Sequence, residues 1–191
     1  MLDVGSNPVR VCVVGAESSG TTTLSRDLAT HYETVWVPEY GRLYTERLKA
    51  KGINTFSYEW KSEEFVHIAE QQQRDEDAAA LKANRILICD TDALATCIWH
   101  QRYVGTWSKE VEAIANRRHY ALYLLTDCDI PFEFDGVRDG QHIRPWMTKR
   151  FTEEFTKRGY PWVLIKGSRE ERLTQAVAEV DKLLVAATAT Y

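Results

Sequence analysis

No run of this chain is apolar over the length that a membrane-spanning helix needs, and nothing in it reads as a signal peptide. A cytoplasmic location and no membrane partner are therefore expected. The four cysteines, Cys12, Cys89, Cys97 and Cys128, form no C-x-x-C pair and show no metal-ligand spacing. Buried, reduced thiols are the expectation. Basic residues are outnumbered, 24 against 28 acidic, for a net charge of −4. That balance argues against non-specific nucleic-acid binding, although a local basic patch remains compatible with it. Internal repeats, low-complexity tracts and linkers are absent as well. What remains is a chain of 191 residues, 44% hydrophobic and 27% charged. Those values suit one folded domain with a substantial core. The expected division is a short disordered leader over residues 1–8 and a single domain over 9–191. A homo-oligomer is compatible with it.

Apolar runs alternate with helix-length amphipathic stretches, an order that predicts an α/β protein with a parallel sheet. Strands are expected at Val9–Val14, Val35–Val37, Ile86–Cys89, Tyr120–Thr126 and Trp162–Ile165. Helices are expected at Thr22–Tyr32, Gly41–Lys51, Tyr58–Ala83, Asp92–Tyr103, Lys109–Arg118, Arg144–Arg158 and Arg169–Ala187. Several strands are continuous β-branched or aliphatic runs, as strands covered by helices on both faces should be. The expected architecture is the three-layer fold of P-loop NTPases, a five-stranded parallel sheet between two helical layers.

Gly15-Ala16-Glu17-Ser18-Ser19-Gly20-Thr21-Thr22-Thr23 lies between the first strand and the first helix. It fits a phosphate-binding loop, in which glycines curl the backbone so that N–H groups face phosphate oxygens. The helix behind it adds its positive end. The usual pattern requires lysine at position 21, and this chain has Thr21. Thr22 still offers the hydroxyl that would hold Mg²⁺. ATP and Mg²⁺ are the implied cofactors.

Asp90 ends an apolar strand, which places its carboxylate where a phosphate-loop protein needs a second Mg²⁺ ligand. A helix cap is the competing role for it, and Asp92 is left for capping or for substrate hydroxyls. Glu39, Tyr40 and Arg42 follow the second strand. Glu39 can accept the proton of an attacking hydroxyl, as a base or as a substrate ligand. Arg42 can hold phosphate or orient Glu39, or the two can form a surface pair. The polar loop from Phe134 to Arg144 offers Arg138 and Arg144 as lid cations for the transition state. His142 in that loop reads as solvent-facing. Trp99 and Tyr103 share one helix face and read as core, while Trp60, Trp107 and Trp146 are equal candidates for stacking on a base.

These elements together resemble the ribosylnicotinamide kinase domain of NadR-type NAD-biosynthesis proteins. The resemblance rests on the 15–20 loop, Glu39-Tyr40-Gly41-Arg42, Asp90-Thr91-Asp92, Gln101-x-Tyr103-x-Gly105 and Asp135-Gly136-x-Arg138. It implies transfer of the γ-phosphate of ATP to the 5′-hydroxyl of nicotinamide riboside. A small-molecule nucleoside is then the partner and nucleic acid is not. Gly15–Thr22 would hold the triphosphate, with Arg144 beside it. Glu39 and the Asp90–Asp92 pair would face riboside and metal, Tyr40 and Arg42 would flank the substrate, and Arg138 would belong to the lid. Two departures stand out: Thr21-Thr22 where the family has Lys-Ser, and a lid of different composition. Arg42, Arg138, Arg144 and Lys149 are the cations that could replace the lysine. A kinase for another nucleoside and a non-catalytic nucleotide-binding module are the alternative readings.

Overall fold

A computed structural model describes residues 8–134 and 140–188. The expected leader falls almost wholly outside them, as do Asp135 and Arg138. Strands β1 (Val9–Gly15), β2 (Trp36–Val37), β3 (Ile86–Asp90), β4 (Leu122–Thr126) and β5 (Trp162–Ile165) form one sheet in the order β2-β3-β1-β4-β5. Every pairing in it is parallel. Helices α1 (Thr21–His31), α2 (Tyr40–Ala50), α3 (Ser62–Ala80), α4 (Ala93–Val104), α5 (Lys109–Ala115), α6 (Arg144–Arg158) and α7 (Arg169–Thr188) connect and cover the strands. This is the expected three-layer α/β architecture.

Pleating divides the core into two. Cys12, Val14, Leu87, Cys89, Tyr123 and Leu125 face one side, against apolar residues of α3, α4, α5 and α6. Val11, Val13, Ile86, Ile88, Leu122 and Leu124 face the other, against Leu24 and Leu28 of α1 and Val180 of α7. Burial on both faces explains why the strands read as unbroken apolar runs.

The main boundary difference is α3, which starts at Ser62 rather than near Tyr58. The Tyr58 hydroxyl donates to Glu64 Oε1 at 2.8 Å, and the Lys61 N–H donates to Glu64 Oε2 at 2.9 Å. The helix folds back on its own approach, so Trp60 stays outside it. Parallel pairing in register sets Val13 of β1 beside Asp90 of β3. The carboxyl ends of the central strands therefore meet at one edge, where doubly wound sheets bind ligands.

Candidate functional site

The phosphate loop runs from Gly15 to Gly20, and Thr21 opens α1. Ser18 and Gly20 both take left-handed backbone angles, φ 53° and 85°. That alternation turns backbone N–H groups into an anion-binding concavity. Gly15 is fixed by contact: a Cβ there would lie 2.1 Å from Thr126 Oγ1 and 2.4 Å from Ser19 Oγ. Ser19 Oγ donates to the Ala16 carbonyl at 2.6 Å, which closes the loop internally. Thr21 and Thr22 are half-buried and Thr23 is exposed.

Two buried arginines hold the loop from behind. Arg172 of α7 donates to the carbonyls of Ser19 at 2.6 Å, Gly167 at 2.8 Å and Asp127 at 3.0 Å, and it pairs with Asp129. Arg144 donates through Nη2 to the carbonyls of Ile130 at 2.9 Å and Ser18 at 3.4 Å. The expectation of Arg144 as a lid cation is corrected, because its guanidinium is buried on backbone oxygens. Arg172 was not anticipated. An arginine one turn into a surface helix carries no sequence mark distinguishing it from a solvated one.

Glu17 is buried within the loop. Its Oε2 accepts from the Gly140 N–H at 2.6 Å, and its Oε1 pairs with Arg102, which lies over the Trp99 and Tyr103 rings. The carboxylate thereby joins the phosphate loop to α4 and to Gly140.

Thr22 and Asp90 meet as expected, with Thr22 Oγ1 donating to Asp90 Oδ2 at 2.6 Å. A hydroxyl and a carboxylate oxygen together are the hard donors that Mg²⁺ takes from protein, so the residues present fit that ion. Thr91 follows with φ 77°, an unfavourable angle for a β-branched residue, held by its N–H donating to Val13 O at 2.9 Å. This twist sends the two aspartates apart. Asp92 points into the core, 2% exposed; its Oδ1 caps α4 by accepting from Ala95 N–H at 2.8 Å, and its Oδ2 accepts from the Tyr123 hydroxyl at 2.9 Å. Burial raises its pKa. The expectation of Asp92 as a catalytic or substrate ligand is corrected: both oxygens face inward, and the capping role is the one realised.

Beside the loop lies a cleft lined by Glu17, Glu39, Arg42, Trp60, Trp99 and Tyr103 among others. The Trp60 and Tyr103 rings lie 5.5 Å apart, and Trp99 stacks on Tyr103 at 6.0 Å. Trp60 is therefore the base-stacking candidate that reaches the cleft. Trp107 lies under Arg150, and Trp146 is on the surface. Trp99 and Tyr103, expected as core, form part of the wall. Glu39 stands at the N-terminal boundary of α2, with no capping bond from its side chain, and borders both this cleft and the narrower space bounded by Gly15, Ala16, Thr21 and Asp90. Tyr40 is corrected: it is buried, with its hydroxyl 3.2 Å from His67 Nε2 and accepting from Arg47 at 3.1 Å. It supports α2 rather than touching the cleft. His142 is exposed, as expected.

Residues 10–172 match the sequence family described as an AAA domain. The chain belongs to that family. Within it, the NadR resemblance is found directly. The trifunctional NAD biosynthesis/regulator protein NadR of Escherichia coli (strain K12) is 29% identical over 128 residues, 67% of this chain. The match takes in 30% of NadR, so the chain spans under a third of that relative. Among solved structures, NadR protein in complex with NR superposes with a TM-score of 0.73 at 22% identity, covering 91% of this chain and 51% of that one. NadR protein in complex with NAD and AMP-PNP gives the same TM-score at 19% identity, covering 91% and 49%. Thymidylate kinase from Ehrlichia chaffeensis gives 0.59 at 18% identity, covering 94% and 99%. These structures share the AAA-domain member's three-layer fold.

Proposed function

We propose that the protein is an ATP-dependent kinase acting on the 5′-hydroxyl of a riboside, with nicotinamide riboside as the first acceptor to test. One observation carries this reading. The aromatic cleft and the phosphate loop share the border residues Glu17, Glu39, Thr91 and Trp99. A ring packed against the wall of Trp60, Trp99 and Tyr103 would have its ribose toward the loop. Relatives named for NAD biosynthesis, and a NadR structure holding NR, support the choice of acceptor.

In this reading the loop N–H groups and the start of α1 hold the triphosphate of ATP. Thr22 and Asp90 would hold Mg²⁺, which neutralises phosphate charge. Glu39 accepts the proton as the acceptor oxygen bonds to the γ-phosphorus and the bond to the β-phosphate oxygen breaks.

The test supplies ATP, Mg²⁺ and nicotinamide riboside and follows nicotinamide mononucleotide and ADP by chromatography. Product in equal amounts supports the proposal. Turnover only with another nucleoside moves the acceptor. Thr21, in place of the loop lysine, favours a second reading, a binding module without catalysis. Calorimetric ATP binding with no turnover on any riboside would establish it.

A further inference from the structure

The phosphate loop carries no cation at position 21, so positive charge for the transferred phosphate has to come from another element. The nearby cations are separated by what they touch. Arg172 and Arg144 are buried at 4% and 6% exposure and bond the carbonyls of the loop and its neighbours. They brace the loop from behind, which leaves its N–H groups to face the ligand. Arg169 grips Asp27 through two nitrogens, and Lys149 is paired with Glu153 on the exposed side of α6.

Arg42 is placed differently. It lines the open space above Thr21, Thr22 and Thr23, and it also lines the aromatic cleft with Glu39. No other arginine or lysine borders both of those spaces among the described residues. Its Nε donates to Glu46 at 3.0 Å, a solvated pair one helical turn away. Arginine matches phosphate oxygens through its planar fork.

We propose that Arg42 is a catalytic residue that supplies, across the border between cleft and loop, the phosphate-directed charge that Thr21 cannot. This rests on the kinase reading above, and its test separates the two. Calorimetry compares AMP-PNP with AMP in the wild type, Arg42→Ala, Thr21→Lys, the double variant and Glu46→Ala, with kcat measured on the riboside that turns over. Arg42→Ala is expected to weaken AMP-PNP about tenfold or more while AMP stays within about twofold, and to lower kcat by at least about a hundredfold. Adding Thr21→Lys to Arg42→Ala restores most of both losses, so the two substitutions are strongly non-additive. Glu46→Ala is expected to leave the AMP-PNP preference intact.

An unchanged AMP-PNP to AMP ratio in Arg42→Ala overturns the assignment. Additive effects of Arg42→Ala and Thr21→Lys overturn it too, as does a loss in Glu46→Ala equal to that in Arg42→Ala. If the wild type turns over no riboside, the kinase reading falls, and the affinity ratios still decide the role of Arg42.

Discussion

Asp90 and Asp92 stand two positions apart, one on each side of a residue whose backbone is left-handed. Asp90 ends at the hydroxyl of Thr22, and Asp92 ends in the core under Tyr123. Their substitutions should therefore differ in kind. Asp90→Asn is expected to remove the Mg²⁺ dependence of AMP-PNP affinity with little change in stability, as calorimetry with and without Mg²⁺ would read. Asp92→Asn keeps an oxygen for the Ala95 N–H and removes a buried charge, so AMP-PNP binding should persist. Asp92→Ala loses the cap and leaves the Tyr123 hydroxyl unpaired, with an expected loss of about 2 kcal/mol or more in urea unfolding. The phosphate loop and Asp90 could be read from sequence because each follows an apolar strand directly. Asp92 and Tyr40 could not, because a side chain's direction depends on packing partners far along the chain.

At the scale of elements, α7 does more than complete the second helical layer. Arg172 ties its first turn to the loops after β1, β4 and β5 through three carbonyls and Asp129. Removing a buried guanidinium from such a set leaves Asp129 Oδ1 and the three carbonyls without that donor, while Asp129 Oδ2 keeps the Gly167 N–H. Arg172→Met is expected to lose about 3–5 kcal/mol of stability, read by urea unfolding, and to weaken AMP-PNP binding with it. The periodicity of α7 revealed its apolar stripe in advance, since a stripe repeats. A single polar contact over more than a hundred positions of sequence leaves no such pattern.

Over the whole molecule, the buried carboxyl of Glu76 sets a pH dependence. It lies fully buried on α3, accepts the Tyr120 hydroxyl at 2.8 Å, and has Arg118 at 3.4 Å, with Arg10 and Asp92 acting from further off. Burial dominates and pushes its pKa up to about 8, from an ordinary 4.5. The folded state then binds this proton more tightly than the unfolded state does. Its contribution is complete below about pH 4.5 and is lost as pH rises toward about 8. Glu76→Gln should flatten that fall, as a series of urea titrations from pH 5 to about 9 would show. Asp77, whose pKa is lowered chiefly by Arg118, acts oppositely and only in acid. The same core hides thiols: Cys12, Cys89 and Cys97 are buried and Cys128 is half-buried. A chromogenic disulfide reagent should titrate one thiol in the folded chain and four after denaturation.

The sequence by itself determined the order of strands and helices along the chain, the five-stranded parallel sheet and the phosphate loop between β1 and α1. Each of these follows from local chemistry: hydrophobic period or glycine placement. Tertiary structure decided which tryptophan walls the cleft, which aspartate turns inward, and which arginines brace the loop. It also placed Arg42 on the border between loop and cleft. The physical reason is that a guanidinium or an indole ring takes its role from partners brought near by the sheet, and those partners lie far away in the chain.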